Sequence, residues 1–143
     1  MKPSFAIIDW DMFFRPICCY VGPDEIPNEL LPKIVNECRK SRYRKIITPD
    51  YVKKSIREIQ QSFLYRQLAI CQNTDKGSFI KMWAFSNGAL AHELLHVIEE
   101  VCRGHKIKDE EFKCYALTWL LRDFKYKLTG RRDKFFDFQE KES

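Results

Sequence analysis

The 143-residue sequence predicts an α+β domain in which helices cover a small antiparallel or mixed sheet. Segments rich in aromatic and β-branched residues, which are typical of strands, occur at the start and in the middle of the chain. Segments with apolar residues at helical spacing lie between and after them. The predicted order is therefore strands, two helices, a β-hairpin and two more helices. Because strands and helices do not alternate regularly, this order indicates an α+β rather than an α/β domain.

Length and composition predict one domain over residues 1–130, followed by a charged tail over residues 131–143. Hydrophobic residues make up 45% of the chain and charged residues 31%, as expected for a packed core with a solvated surface. No apolar run approaches the roughly 18 residues needed to cross a bilayer, and the first residues do not resemble a secretory signal. We therefore expect a cytoplasmic protein without a membrane partner. The six cysteines, none of them in a CxxC pair, are then expected to be reduced.

The first part of the chain predicts one or two strands and a helix. Residues 5–22 have strand composition, and Pro16 within them favours an edge strand or a bend. Asn28 is the expected cap of a helix that runs to about residue 41. The stripe that this helix is expected to bury consists of Leu30, Leu31, Ile34, Val35 and Cys38.

A second helix and a hairpin follow. Thr48 and Pro49 are the expected cap and first helical residue of a helix that ends near Phe63. Residues 65–72 and 78–85 then predict two strands, joined by the turn-forming residues 73–77. The apolar residues at helical spacing in the helix are Val52, Ile56, Ile59 and Phe63.

Two helices complete the predicted domain. Residues 88–103 form the first, with Ser86 or Asn87 as its cap and Gly104 as its expected end. The second begins at Asp109, runs to about residue 127 and ends before Gly130. The first is expected to bury Leu90, Leu94, Val97, Ile98 and Val101, and the second Phe112, Tyr115, Ala116, Trp119 and Leu120.

The segment His92-Glu93-Leu94-Leu95-His96 matches the pattern H-E-x-x-H in the middle of a predicted helix. Residues four apart lie on the same side of a helix, so both imidazoles can bind one Zn²⁺. Glu93 leaves the helix about 100° further round and can act as general base on water that the zinc activates. The pattern therefore predicts a zinc-dependent hydrolase, with His92 and His96 as ligands.

A catalytic zinc needs a third protein ligand. The metzincin pattern fails, because Glu99 and Cys102 stand where a glycine and a histidine are required. His105 lies beyond the expected end of the helix. Among the acids that open the last helix, Glu111 is favoured over Asp109 and Glu110, because it shares a helix face with Tyr115 and Thr118 that can point inward. The sequence alone leaves Asp109, Glu110 and His105 open as alternatives.

The hairpin, the H-E-x-x-H helix and the helix that carries Glu111-x-x-x-Tyr115 together resemble minimal gluzincin-like domains of phage-encoded and bacterial proteins. The resemblance covers residues 79–121. It implies a zincin-like fold, in which the H-E-x-x-H helix packs on the C-terminal helix. It also implies Zn²⁺ held by His92, His96 and Glu111, with Glu93 as the catalytic base. By the same resemblance, the protein is a metallopeptidase that acts on a protein or peptide, in the host cytoplasm if it is phage-encoded. The strand at residues 78–85 would pair with the extended substrate.

Two other functions remain open at this point. A zinc site can also serve a non-catalytic assembly or interaction module. The net charge of +5, with basic excess in residues 39–45 and 122–134, is compatible with a nucleic-acid-associated protein. No motif of a known nucleic-acid reader accompanies this charge, so we expect no nucleic-acid partner. The sequence does not indicate an oligomeric state.

Overall fold

A four-stranded mixed sheet forms the centre of the protein in the computed structural model, which describes residues 2–62 and 68–132. The strand order is β1-β2-β4-β3; β2 and β4 run parallel, and the two outer pairs are antiparallel. The mixed sheet and its four helices confirm the predicted α+β class. The strands are β1 (Ser4–Trp10), β2 (Arg15–Val21), β3 (Ala69–Thr74) and β4 (Gly77–Met82), and the helices are α1 (Leu31–Lys40), α2 (Pro49–Ser62), α3 (Asn87–His105) and α4 (Glu110–Thr129).

Helices cover both faces of the sheet. Alternate side chains of a strand point to opposite faces, so Phe5 and Ile7 of β1 face α1 and α2, whereas Ala6 and Ile8 face α3 and α4. Since β1, β2 and β4 contribute to both cores, they are buried almost throughout rather than alternating between buried and exposed residues. The molecule is thus a three-layer sandwich of helices, sheet and helices.

The position of Pro16 differs from the sequence expectation. β2 is an interior strand, although a proline is usually confined to an edge. Pro16 is tolerated because it lies near the start of β2, one residue before pairing with β4 begins at Ile17 and Ser78. Gly77 fits closely against it, with φ at +148°, and a Cβ at this position would lie 2.5 Å from the Pro16 carbonyl oxygen. Glycine is therefore required at the start of β4.

The bounds of helices α1 and α2 are close to the predicted ones. Thr48 caps α2 as expected, since its hydroxyl accepts a hydrogen bond of 3.2 Å from the Tyr51 amide. Asn28 does not cap α1, because residues Asn28–Leu30 form a separate 3₁₀ turn. Val35 is exposed and Leu31 is only partly buried; the buried residues of α1 are Ile34 and Cys38, with Leu30 buried just before the helix. Phe63 and residues 65–67 lie outside the described residues.

The predicted end of α3 at Gly104 is wrong. The helix continues through Gly104 to His105, and Lys106 takes the left-handed conformation that ends it, with φ at +56°. The Ile107 amide then donates to the Cys102 carbonyl oxygen at 2.8 Å, and the Ile107 side chain packs against the core. A bond of this kind together with an apolar contact after the cap is typical of a Schellman ending, so the packing of Ile107 decides where the helix stops.

The remaining caps follow the sequence. The Ser86 hydroxyl accepts from the Ala89 amide at 3.2 Å, and the Asp109 carboxylate accepts from the Glu111 amide at 2.9 Å. Gly130 ends α4 in the left-handed conformation. The predicted tail lies outside the described residues from position 133 onward. None of the helices in the described part of the chain combines the length and hydropathy that a bilayer crossing requires.

Candidate functional site

His92 and His96 lie one turn apart on the exposed side of α3. Their rings meet edge to face, with centroids 4.7 Å apart and planes at 84°. The two Nε2 atoms are 3.2 Å apart. Two Zn–N bonds at the tetrahedral angle place their nitrogens about 3.3 Å apart, so the spacing of this pair suits chelation of one metal ion. The pair alone can also share one hydrogen bond, with one imidazole donating and the other accepting.

Glu93 turns from the histidines toward the sheet. Its side chain is 8% exposed, and no described residue donates a hydrogen bond to its carboxylate. Burial raises the pKa of Glu93, while the neighbouring His92 and His96 act in the opposite direction. Burial raises the pKa of the Cys71 thiol on β3 to about 12, and the charge of Glu93 contributes to this shift. A carboxylate in such surroundings is a stronger base than one in water.

A groove of about 860 Å³ runs between α3 and β3. The two histidines and Glu93 lie along its helical wall. The opposite wall is β3, which is the terminal strand of the sheet within the described part of the chain. The other side chains that line it include Ala69, Cys71, Asn73, Glu99, Glu100 and Arg103.

The strand at the open edge of the groove is β3, not the strand at residues 78–85 that was predicted to pair with a substrate. β4 is an interior strand, hydrogen-bonded to β2 on one side and β3 on the other, so its backbone offers no open edge. The expectation for residues 78–85 is therefore wrong. β3 occupies the edge because the hairpin folds back outside β4, and the sequence of a hairpin does not indicate which of its strands pairs further.

Glu111 lies at the start of α4, exposed to solvent. The helices α3 and α4 are antiparallel, and Lys113 Nζ contacts Glu99 Oε2 at 3.3 Å, so the first turn of α4 lies beside the second half of α3. The face that Glu111 shares with Tyr115 and Thr118 points outward, and Tyr115 is 72% exposed. The expectation that this face points inward is wrong, because Ala116, Leu120, Phe124 and Leu128 form the buried stripe of α4.

The alternative third ligands have other contacts. Asp109 caps α4, Glu110 lies 3.6 Å from Lys113, and the His105 ring packs against Phe13 at 4.9 Å between centroids. Within residues 2–62 and 68–132, no group of three or more His, Cys, Asp or Glu side chains is arranged to hold a metal ion. The structure thus brings His92, Glu93 and His96 together and leaves the third ligand as a prediction.

Sequence reasoning missed a polar cluster at one end of the groove. The Arg15 Nε donates to Ser78 Oγ at 2.9 Å, and Ser78 Oγ donates to the Asn73 amide oxygen at 2.6 Å. Burial lowers the pKa of Arg15, and the nearby Glu100 partly offsets this effect. The three residues come from three strands, so only the register of the sheet brings them together. The alternation of Ala69, Cys71 and Asn73 along β3 is the sequence signal that these side chains share the face toward α3.

Compared with protein-family models, with curated proteins and with solved structures, the chain matches none.

Proposed function

We propose that the protein is a zinc-dependent hydrolase and, more specifically, a metallopeptidase. Its reaction takes place in the groove between α3 and β3. The observation that carries this proposal is the separation of 3.2 Å between the Nε2 atoms of His92 and His96. That distance suits two ligands of one tetrahedral ion, and the imidazole nitrogen is a common zinc ligand. Glu93 follows the first histidine and lines the same groove.

A catalytic zinc requires three protein ligands, and the two histidines fit two of these positions. His92 and His96 would hold the ion, and Glu111 is proposed as the third ligand only because Glu111-x-x-x-Tyr115 resembles the corresponding helix of gluzincin-like domains. Zinc supplies two things at such a site: it polarises a peptide carbonyl group and lowers the pKa of water. The groove leaves the histidine nitrogens accessible, as both side chains are exposed.

Glu93 is the proposed general base. Its carboxylate can accept a proton from the attacking water and deliver that proton to the amine nitrogen as the peptide C–N bond breaks. The open edge of β3 forms the other wall of the groove, where an extended peptide can form backbone hydrogen bonds with the strand. This arrangement supports a peptide rather than a small molecule as substrate.

The metal part of the proposal is tested by zinc content. Purified wild-type protein is expected to bind one zinc per chain, measured by elemental analysis after dialysis against zinc. His96→Ala is expected to weaken zinc binding by more than ~100-fold, since it removes a direct ligand. Glu111→Ala should do the same, and Glu110→Ala, with the adjacent acid, should not. Zinc retained in Glu111→Ala would show that the third ligand lies elsewhere, and a wild type without zinc would overturn the proposal.

Catalysis is tested separately with Glu93→Gln. This variant is expected to keep its zinc and to lose about 10²- to 10⁴-fold in cleavage rate, because only proton transfer is removed. Cleavage is measured by mass spectrometry on a mixture of peptides from a cell lysate, so that a narrow specificity is still detected. Glu58→Gln, an exposed glutamate on α2, is the matched control. A zinc-loaded wild type that cleaves no peptide would instead indicate a non-catalytic metal-binding module.

A further inference from the structure

Three connecting segments meet at one end of the sheet. They are the turn between β1 and β2 (residues 11–14), the segment from the end of α1 toward α2 (residues 39–45), and the end of α3 with the following loop (residues 103–108). Asp11 joins the first two, since its carboxylate accepts from the Tyr43 hydroxyl at 3.3 Å and pairs with Arg42 at 3.4 Å. Phe13 joins the first and third through its ring contact with His105. We call this surface the loop end.

The loop end carries more cations than acids, and the excess is largest in residues 39–45, because Asp109, Glu110 and Glu111 directly follow residues 103–108. Residues 39–45 contain five cations and no acid, and residues 103–108 contain three cations and no acid. Of these eight cations, Arg42 and Arg103 have ion-pair partners, and the other six form no ion pair with a described residue. Asp11, the acid of the turn, is already engaged by Tyr43 and Arg42. The exposed cations are Arg39, Lys40, Arg42, Arg44, Lys45, Arg103, Lys106 and Lys108.

Apolar side chains project from the turn at residues 11–14, which contacts both basic segments. Phe14 is 83% exposed and Met12 is 69% exposed, whereas Phe13 between them packs against the core. Phe14 has φ at +51°, in the left-handed region that a bulky aromatic residue rarely adopts. The fold therefore holds an aromatic ring in solvent at a backbone position that favours glycine. Such a combination is typical of a side chain kept for an external contact.

We propose that the loop end docks on the anionic surface of a phospholipid bilayer, with Met12 and Phe14 inserted among the headgroups and the cations facing lipid phosphates. Lys and Arg side chains are attracted to anionic lipid, and exposed apolar side chains gain by entering the boundary between headgroups and acyl chains. A nucleic acid would satisfy the charges equally well. Its phosphate backbone, however, offers no comparable apolar phase to Met12, so the observations favour the lipid surface. This docking is independent of zinc and of catalysis. It departs from the expectation of no membrane partner, which was based on the lack of a segment long and apolar enough to cross a bilayer.

The proposal is tested by co-sedimentation of the 143-residue chain with vesicles. Wild-type protein is expected to bind vesicles of phosphatidylcholine with about 30% phosphatidylserine at low salt, to bind pure phosphatidylcholine much less, and to dissociate as salt is raised. Arg44→Ser combined with Lys45→Ser should weaken binding by roughly tenfold or more. Lys2→Ser combined with Arg131→Ser removes the same charge far from the loop end, since Lys2 precedes β1 and Arg131 follows α4. This variant should change binding by less than about twofold.

Phe14→Gly separates the contact from the folding of the turn. Glycine adopts a positive φ without strain, so this variant should fold at least as stably as wild type. Its binding to anionic vesicles should still fall by roughly fivefold to tenfold, because the inserted ring is lost. Equal losses in the two charge variants, or no loss in Phe14→Gly, would overturn the proposal. Failure of wild type to bind vesicles while it binds single- or double-stranded DNA or RNA through Arg44 and Lys45 would assign the surface to nucleic acid instead.

Discussion

Lys81 lies in the middle of β4 with no solvent-exposed surface. Its ammonium group pairs with the Asp24 carboxylate and lies 4.2 Å from the centre of the Trp83 ring. The Trp83 indole N–H donates to the same Asp24 oxygen at 2.7 Å. A buried cation requires such partners, because removal from water is costly for a charge that stays unpaired. Asp24 is therefore the residue on which the burial of Lys81 depends.

Removing either partner should have unequal effects on stability. Asp24→Asn leaves the buried ammonium group without an anion and should lower the free energy of unfolding by about 2 kcal/mol; the loss is moderated because the Asp24 side chain is 44% exposed. Lys81→Met removes the buried charge and keeps a similar volume, so it should lower that free energy less. Urea unfolding at neutral pH measures both. A larger loss in Lys81→Met than in Asp24→Asn would contradict this account.

The same pair gives a dependence on pH. The hydrogen bond from Lys81 lowers the pKa of Asp24 below its ordinary value. A carboxyl group with a lowered native pKa stabilises the fold fully above its unfolded pKa, and this contribution is lost as the pH falls through the native pKa. The stability difference between wild type and Asp24→Asn should therefore be constant near neutrality and shrink below about pH 4. Urea midpoints measured across this range test it, and a difference that grows in acid would contradict it.

At the scale of single elements, α3 and α4 end on different kinds of residue. Lys106 provides the left-handed residue at the end of α3. Gly104 lies within that helix, and a Cβ at its position would meet no atom of a described residue within 4 Å, apart from the backbone of its own helix and its chain neighbours. Gly130 provides the left-handed residue at the end of α4, with φ at +73°. Gly130 thus requires glycine for its positive φ, whereas Gly104 does not. Their positions near helix ends in the sequence do not reveal this difference.

Alanine substitution should distinguish these two glycines. Gly104→Ala should raise the free energy of unfolding by about 0.5 kcal/mol, because alanine restricts the unfolded chain and fits the helix. Gly130→Ala should lower it by about 1 kcal/mol, because a Cβ is strained at positive φ. Both are measured by thermal and urea unfolding against wild type. Destabilisation by Gly104→Ala would contradict the observed end of α3.

The faces of α4 show the same limit of sequence reasoning. Tyr115, Trp119 and Tyr126 have helical spacing, and so do Ala116, Leu120, Phe124 and Leu128. The structure buries the second set and leaves the first largely exposed. The sequence of a helix with two apolar stripes does not indicate which stripe is buried. In α4, contact with β1 and α3 determines it.

At the scale of the whole molecule, one sheet separates two apolar cores. Ile34 of α1 lies in one core and Leu94 of α3 in the other, and both are fully buried. β1, β2 and β4 contribute side chains to both cores. Because neither helical layer can lose its packing without exposing the same sheet, the described domain is expected to unfold as one cooperative unit.

Truncation in either core tests this cooperativity. Ile34→Ala and Leu94→Ala should each lower the free energy of unfolding by about 3 kcal/mol through lost burial and the cavity left behind. In each variant, unfolding followed by far-UV circular dichroism should coincide with unfolding followed by tryptophan fluorescence. Two separated transitions in either variant would show that one layer melts independently.

Local sequence patterns determined the positions of the helices and the placement of the histidine pair. Helical spacing and caps such as Thr48, Ser86 and Asp109 placed the helices, and the spacing within H-E-x-x-H put His92 and His96 on one side of α3. These features depend on residues within one or two turns of each other, where backbone geometry alone sets the distances.

The tertiary structure decided the features that join distant segments. It placed β3 rather than β4 at the edge of the groove, directed Glu93 toward β3, and turned Glu111 to solvent beside the second half of α3. It also brought residues 11–14, 39–45 and 103–108 to one end of the sheet, and no single stretch of the sequence reveals the surface that they form together. Strand order and helix orientation are set by packing between elements, and no local pattern encodes which elements will meet.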